Sequence, residues 1–142
     1  MKVRHRGRPV PTVRELMGRT LTAVDPRSNL FEAAALMRSH QVSALAVLDG
    51  EEPAGIITER DLVRALADGL APAETRVSNY MTQSPVTIEL EARAAEAATL
   101  MQKHHVRHLL VIEHGRVAGC ISVRDLLRLH AWPASLDQVE PW

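Results

Sequence analysis

The sequence has little of several features on which common protein functions depend. Cys120 is the only cysteine, which excludes an internal disulfide and is typical of a reducing, cytoplasmic setting. Aromatic residues make up 3% of the chain, which leaves almost no platform on which nucleic-acid bases could stack. Lys and Arg number 17, and so do Asp and Glu, so the chain lacks the overall basic field that attracts nucleic acid.

Long apolar runs are missing as well. No run approaches the roughly 20 residues that a membrane-spanning helix needs. Residues 1–12 contain five basic side chains counting His5, together with one glycine and two prolines. We therefore expect a flexible basic tail here rather than a signal peptide, with docking onto an acidic partner or nucleic acid as the alternative.

An internal repeat is the strongest feature that is present. Residues 13–66 align without a gap on residues 77–130, an offset of 64, and 18 of the 54 aligned positions are identical. Each repeat is expected to bury a face against its copy. The boundaries predicted from this alignment are a first repeat at 13–68, a linker at 69–76, a second repeat at 77–130 and a C-terminal tail at 131–142.

Both copies predict the same order of elements: strand, helix, strand, strand, helix. In the first copy Leu30, Ala33, Ala34 and Met37 recur with the spacing of an amphipathic helix, and the second copy repeats this pattern. The strands are expected at Leu21–Val24, Ala44–Leu48 and Ala54–Thr58, then at Val86–Ile88, His108–Ile112 and Ala118–Ser122. The sequence therefore predicts an α+β fold that forms one compact module.

A polar signature ends the last strand of each copy and begins the helix that follows. The two versions are Gly55-Ile56-Ile57-Thr58-Glu59-Arg60-Asp61 and Gly119-Cys120-Ile121-Ser122-Val123-Arg124-Asp125. A helix start attracts anions, its hydroxyl residue can donate to a phosphate, and the neighbouring arginine adds a charge-assisted contact. The aspartate one turn later is placed to accept hydrogen bonds from two ribose hydroxyls. The signature therefore indicates a nucleotide site.

The same spacing has a purely structural interpretation. Ser or Thr followed three residues later by Asp is nearly a capping box, which a helix uses to satisfy its own N–H groups. Arg60 and Arg124 favour a ligand, because a capping box does not need an arginine at that place. The two roles are compatible, so both remain open.

The ordered set of motifs, present twice, closely resembles the tandem CBS (cystathionine β-synthase) domain pair. Besides the polar signature, the segment from Leu36 to Val47 and its counterpart from Leu100 to Val111 carry the resemblance, which covers residues 13–130. It implies two tandem β-α-β-β-α repeats related by a pseudo-twofold axis, with clefts between them. It also implies a homodimer, because helices of two pairs commonly pack together in this family.

The resemblance also assigns roles to residues. Asp61 or Asp125 would hold ribose, Thr58 or Ser122 would contact phosphate, and adenine would lie between apolar strand residues. Basic residues at the start of the middle strand can reach the phosphates in this family. Those residues are Arg107 and His108 in the second copy but Ser43 and Ala44 in the first, so we expect the two clefts to be unequal.

The expected function is that of a stand-alone regulatory module, not an enzyme. It would bind AMP, ADP or ATP as a regulatory, energy-sensing ligand, need no obligatory cofactor, and signal to a protein partner in trans. S-adenosylmethionine or a dinucleotide is the alternative ligand, and a structural or nucleic-acid-associated adaptor with vestigial clefts is the alternative function. A metal site at His104, His105 and His108 is not expected, because this stretch should be leaving its helix for a strand.

Overall fold

The computed structural model of the chain describes residues 11–17 and 21–128. Nearly all of the basic tail predicted at 1–12, and the whole tail predicted at 131–142, lie outside the described residues. Inside them, the predicted order of strand, helix, strand, strand and helix is found twice, which confirms the α+β fold. No helix in these ranges is long and apolar enough to cross a membrane.

The two copies are built from matching elements. The first comprises α1 (Val13–Met17), β1 (Ala23–Val24), α2 (Leu30–His40), β2 (Ala44–Asp49), β3 (Glu52–Thr58) and α3 (Glu59–Ala67). The second comprises β4 (Thr87–Glu89), α4 (Ala94–His104), β5 (His108–Glu113), β6 (Arg116–Ser122) and α5 (Val123–Arg128), preceded by 3-10 turns at Pro72–Glu74 and Val77–Asn79. The first strand, β1, is shorter than predicted because only Ala23 and Val24 pair with β2.

Local chemistry explains where the long helices begin and end. The Asn29 side chain accepts the backbone N–H of Glu32 at 2.8 Å, which caps the start of α2. At the other end, Gln41 takes a left-handed conformation with φ 55°, and its counterpart His105 does the same after α4 with φ 53°. This conformation turns the chain back toward the next strand, so the repeat pattern is preserved in the backbone.

Each copy forms its own three-stranded sheet. The strand orders are β1-β2-β3 and β4-β5-β6, with the first pair parallel and the second antiparallel in each sheet. The sheets contact one another through a small apolar cluster centred on Ala46, Leu110 and Val117. This contact places the ends of β3 and β6, where the polar signatures lie, close to the junction of the two copies.

Helix α1 begins the first copy but packs in the core of the second. The backbone N–H of Val13 donates to the carbonyl oxygen of Ala92 at 2.8 Å, and that of Arg14 donates to Leu90 at 3.0 Å. Val13 and Leu16 are buried in the cluster that also contains Met101. The hydrophobic core therefore does not follow the repeat boundary drawn on the sequence.

The segment that begins the second copy makes the reciprocal contact. Val77 is fully buried in the core of the first copy, and its N–H donates to Ser28 at 2.8 Å. The N–H of Ser78 donates to Pro26 at 3.0 Å. Because each core contains the segment that begins the other copy, the two copies are interdependent in folding.

The predicted linker at 69–76 is ordered. Gly69 follows α3 with φ +79°, and the N–H of Leu70 donates to Ala65 at 3.1 Å, so the chain leaves the helix through a left-handed glycine. Thr75 is buried, and its carbonyl oxygen accepts the N–H of Leu30 at 2.9 Å. The linker thereby attaches to the start of α2.

Gly55 is explained by a close backbone approach. Ile56 and Thr82 exchange two backbone hydrogen bonds, at 3.1 and 2.9 Å, which bring the chain after Val77–Asn79 against β3. A Cβ atom at Gly55 would lie 2.4 Å from the carbonyl oxygen of Thr82. A glycine at this position could make room for a ligand or for backbone, and the structure shows the backbone of Thr82 in that space.

Candidate functional site

Thr58 and Asp61 form a complete capping box at the start of α3. The carboxylate Oδ2 of Asp61 accepts the backbone N–H of Thr58 at 2.8 Å and its hydroxyl at 3.1 Å, while Thr58 Oγ1 accepts the N–H of Asp61 at 3.4 Å. The structural interpretation of the spacing is therefore confirmed. One oxygen of the carboxylate, Oδ1, is not used by the box.

Ser122 and Asp125 make the same contacts at the start of α5. Asp125 Oδ2 accepts the N–H of Ser122 at 2.9 Å and its hydroxyl at 3.1 Å, and Ser122 Oγ accepts the N–H of Asp125 at 3.3 Å. Both aspartates are buried, with exposed fractions of 5% for Asp61 and 6% for Asp125. Each repeat therefore holds one carboxylate in a fixed orientation at the base of its signature.

The second carboxylate oxygen of Asp61, Oδ1, is held by Arg64, which itself contacts Tyr80. Arg64 Nη1 donates to Asp61 Oδ1 at 3.1 Å, and the Arg64 guanidinium lies 5.7 Å from the centroid of the Tyr80 ring. The Tyr80 hydroxyl donates to Asp68 at 2.6 Å, which raises the pKa of Tyr80.

The second copy lacks part of this arrangement. Arg128 is 3.5 Å from Asp125, and the position equivalent to Tyr80 is Leu16, which has no ring. Arg64 was missed by the sequence prediction, although its identity with Arg128 was a signal.

A cavity of about 390 Å³ joins Asp61 to the second copy. It brings Thr58, Arg60 and Asp61 together with Arg107 and His108, all of which were candidates from the sequence. The remaining lining residues are Ser43, Ile56, Glu59, Thr82, Ser84, Pro85, Val86, His105 and Val106. We call this cavity the Asp61 cleft; its apolar wall, hydroxyl, carboxylate and basic side chains face one space.

His105, Thr82 and residues 84–86 are lining residues that the sequence prediction did not assign. His105 lies in the Asp61 cleft because it terminates α4 in a left-handed conformation. Thr82 and residues 84–86 reach the cleft through the backbone pairing of Thr82 with Ile56. Neither position carries a repeated identity, so the duplication offered no signal for them.

The corresponding space beside Asp125 is divided into two. An inner cavity of about 40 Å³ is lined by Thr22, Val42, Ser43, Ala44, His108, Cys120, Ser122 and Asp125, with Met17, Gly119 and Ile121. An outer groove of about 610 Å³ is lined by Ser43, Glu59, Arg107, His108, Ser122, Val123, Arg124, Leu127 and Arg128. We call these two spaces together the Asp125 cleft. Ser43, His108 and Ser122 line both of them.

His108 sits between the clefts and is paired across the repeats. Its Nε2 lies 2.8 Å from the Oγ of Ser43, within hydrogen-bond distance. The pKa of His108 is lowered to about 4, chiefly by burial; Asp125 raises it, and Arg107 and Arg124 lower it. The imidazole is therefore neutral at pH 7. Burial also raises the pKa of the nearby Cys120 thiol to about 12, which makes it a poor nucleophile.

The three histidines considered for a metal site lie in different parts of the backbone. Helix α4 ends at His104, His105 caps it, and His108 begins β5. Among residues 11–17 and 21–128, no group of three or more His, Cys, Asp or Glu side chains is arranged to hold a metal ion.

Two α+β copies that share their cores and enclose a polar cleft at their junction define a paired-repeat module. A model of the CBS domain family matches residues 13–68 and 77–131, so the chain belongs to the CBS domain family. It is 32% identical over 116 residues to the uncharacterized protein YlbB of Bacillus subtilis, a match that covers 80% of this chain and 78% of YlbB.

Solved structures agree with this assignment. A putative signal-transduction protein with CBS domains from Burkholderia ambifaria is 33% identical, with a TM-score of 0.78 over 84% of this chain and 93% of that one. A CBS domain protein of Pyrobaculum aerophilum, complexed with AMP, shares the fold at 24% identity, with a TM-score of 0.76 over 85% of this chain and 98% of that one.

Proposed function

We propose that this chain is a regulatory module that binds an adenosine-containing nucleotide, with AMP, ADP or ATP as the first candidates, in the Asp61 cleft. The observation that carries the proposal is the single cavity that joins Thr58, Arg60 and Asp61 of one repeat to Arg107 and His108 of the other. The Pyrobaculum aerophilum protein, which shares the fold, is complexed with AMP, and this supports the class of ligand.

Each part of a nucleotide has matching chemistry in the cleft. Ile56, Val86 and Val106 offer an apolar wall for the base. Asp61 Oδ1 can accept a ribose hydroxyl in addition to Arg64, because a carboxylate oxygen accepts two hydrogen bonds. The start of α3 favours negative charge. The Thr58 hydroxyl can donate to a phosphate only when it releases Asp61 Oδ2, to which it donates at 3.1 Å.

The charges of the cleft favour a phosphate group on balance. Arg60 and Arg107 line it, and arginine forms strong, planar contacts with phosphate oxygens. Glu59 lines the same space and repels a phosphate.

The proposed mechanism is a shift between relative orientations of the two repeats. A ligand in the Asp61 cleft contacts both copies, so it stabilises the orientation in which the cleft walls fit it. In this proposal a protein partner in the cytoplasm recognises that orientation in trans, and the chain itself is regulatory rather than catalytic. The proposal needs no obligatory cofactor.

We include a homodimer in the proposal. Phe31 on α2, Val63 and Leu66 on α3, and Leu127 on α5 are exposed by 64, 62, 60 and 54% of their surface. Exposed large apolar side chains on helices favour packing against a second copy. Sedimentation of the purified chain measures this directly, and a monomer at all concentrations contradicts it.

Isothermal titration calorimetry with AMP, ADP, ATP and S-adenosylmethionine tests the function. We expect binding by at least one of the adenine nucleotides, weakened more than tenfold by Arg107→Ala through loss of a charge-assisted contact worth about 1.5–3 kcal/mol. Arg116→Ala is the matched control, because Arg116 is exposed on β6 and lines none of the cavities described above.

Two results contradict the proposal. If none of the four ligands binds more tightly than about 1 mM, roughly 4 kcal/mol, the cleft is vestigial. If both arginine variants weaken binding equally, the effect comes from net charge and not from the Asp61 cleft.

A further inference from the structure

The carboxylate of Asp61 is buried, and both of its oxygens have partners. Asp61 is 5% exposed, and its Oδ2 accepts the N–H and the hydroxyl of Thr58. Its Oδ1 accepts Arg64 Nη1 at 3.1 Å. Because a carboxylate oxygen accepts two hydrogen bonds, Oδ1 can accept one more, and the proposed function assigns this bond to a ribose hydroxyl. The direction of that bond depends on how Arg64 holds the carboxylate.

Arg64 reaches this carboxylate from outside the cleft. Asp61 lines the Asp61 cleft, whereas Arg64 lines none of the cavities described above. A ligand in the cleft therefore contacts Asp61 and not Arg64. An effect of Arg64 on the recognition of ribose must pass through the Asp61 carboxylate.

The Arg64 side chain needs support to stay in this position. It is 61% exposed, and an exposed ion pair by itself contributes little, because water competes for the charges and the long side chain loses its freedom. The Tyr80 ring supplies the support: its centroid lies 5.7 Å from the guanidinium, within the range of a cation–π contact. The Tyr80 hydroxyl donates to Asp68 at 2.6 Å, which holds the ring in place.

Tyr80 belongs to the segment that begins the second copy. Its N–H donates to the carbonyl oxygen of Val77 at 3.0 Å, and Val77 is buried in the core of the first copy. Two residues after Tyr80, Thr82 pairs with Ile56 and lines the Asp61 cleft. The segment that forms one wall of the cleft therefore also carries the ring that supports Arg64.

The second copy has the arginine but not the ring. Arg128 Nη2 lies 3.5 Å from Asp125 Oδ1, a longer contact than the one in the first copy. The position equivalent to Tyr80 is Leu16, which is buried in the core of the second copy. The duplication does not account for the ring, and Tyr80→Leu gives the first copy the side chain that the second one has.

We propose that Arg64 and Tyr80 are positioning residues for ribose: the ring holds the guanidinium, the guanidinium holds the Asp61 carboxylate, and the carboxylate in this orientation selects a ribonucleotide over a 2′-deoxyribonucleotide. The inference rests on the proposed function for the class of ligand. It goes beyond that function because it assigns the selectivity for ribose to two residues that do not line the cleft.

The first test is the ratio of the dissociation constants of 2′-deoxy-AMP and AMP, measured by isothermal titration calorimetry. We expect the wild type to prefer AMP at least ~10-fold, because a hydrogen bond to a charged group is lost with the 2′-hydroxyl. Tyr80→Leu should lower this preference ~2–5-fold, the range of a cation–π contact at an exposed site, and Arg64→Ala should lower it at least as much. A variant that only loosens the fold weakens both ligands equally and leaves the ratio unchanged.

Two further variants are the controls. Arg116→Ala removes an exposed arginine that also pairs with a carboxylate, that of Glu51 at 3.7 Å, and lines none of the cavities described above, so the ratio should not change. Tyr80→Phe keeps the ring and loses the bond to Asp68, so its ratio should stay within about twofold of the wild type. A Tyr80→Phe ratio as low as that of Tyr80→Leu overturns the role of the ring.

The second test needs no ligand and compares variants in urea. If the ring supports the arginine, a variant with both Arg64→Ala and Tyr80→Leu loses less stability than the sum of the two single variants, because the contact can be lost only once. The same comparison of Arg64→Ala with Asp61→Ala tests the contact between the guanidinium and the carboxylate. Additive losses in either comparison overturn the proposal.

The two tests separate the inference from the proposed function. A wild type that binds AMP and 2′-deoxy-AMP equally, or Arg64→Ala and Tyr80→Leu variants with the wild-type ratio, overturn the inference and leave the proposed function intact. A wild type that binds neither nucleotide contradicts the proposed function and the role in ribose selection, while the urea comparisons still decide whether Tyr80 and Arg64 hold Asp61. If Arg64→Ala does not fold, Arg64→Met, which keeps the length of the side chain and removes its donors, replaces it in both tests.

Discussion

The backbone N–H of Val77 donates to the carbonyl oxygen of Ser28 at 2.8 Å, which joins the first residue of one repeat to the loop before α2 of the other. Val77 is fully buried there, among core residues of the first copy. Helix α1 occupies the equivalent place in the second copy. The pair is thus one cooperative unit in which each half supplies part of the core of the other.

Val77→Ala should lower the free energy of unfolding of the whole protein by about 1–3 kcal/mol, because it leaves a cavity in a packed core. Lys103→Ala is the control, since Lys103 is exposed on α4 and is not among the apolar residues proposed for the homodimer, and we expect a change within about 0.5 kcal/mol. Urea unfolding measures both. Equal midpoints for the two variants would show that the exchanged segment contributes nothing.

Gly55→Ala should destabilise the protein by about 1–3 kcal/mol. The new Cβ would lie 2.4 Å from the Thr82 carbonyl oxygen, which belongs to the backbone and cannot rotate away. The hydrogen bonds between Ile56 and Thr82 must then lengthen. Thermal unfolding gives the size of the effect, and a melting temperature like that of the wild type is the contrary result.

Asp61→Ala should reduce both stability and nucleotide affinity. Its carboxylate satisfies the N–H of Thr58 and pairs with Arg64, so removal of the cap costs about 0.5–2 kcal/mol. Asp125→Ala is the matched variant for the stability effect, because its carboxylate makes the same bonds to Ser122. Calorimetry with AMP then measures the loss of affinity. An Asp61→Ala protein that is destabilised but binds AMP normally would assign the residue to capping alone.

Stability should fall in acid because of His108. The pKa of this histidine is about 4 in the folded protein against an ordinary value of 6.5, so the unfolded chain binds more protons between these two values. The free energy of unfolding therefore decreases as the pH falls from about 6.5 to about 4, by an amount on the order of 1–3 kcal/mol. Above pH 6.5 this contribution is complete.

The pH effect is isolated by comparing variants in urea at several pH values. His108→Ala should lose this part of the pH dependence, while His104→Ala, with its exposed ring, should keep it. Parallel stability curves for His108→Ala and the wild type between pH 4 and 6.5 would contradict a neutral, half-buried imidazole.

Much of the fold could be predicted from the chain because it depends on local and repeated information. The helix spacing of Leu30, Ala33 and Met37 and the polar signatures at Thr58 and Ser122 act over a few residues. The sequence could therefore indicate the element order and the two capping boxes, which the structure confirms. The CBS assignment followed from the same ordered set of motifs, and the family match confirms it.

The exchange of core segments and the inequality of the clefts required the tertiary structure. A one-dimensional alignment assigns Val77 to the second copy, because it cannot show that the chain crosses over and buries this residue in the first. It could show that His108 faces Ala44 in the alignment, and so that the clefts differ. The position of the His108 imidazole relative to the two clefts depends on tertiary contacts. One of them is its contact with Ser43, a residue 65 positions away in sequence. By itself the sequence determined the repeated local chemistry, and the packing of the two copies decided how the space between them is shared.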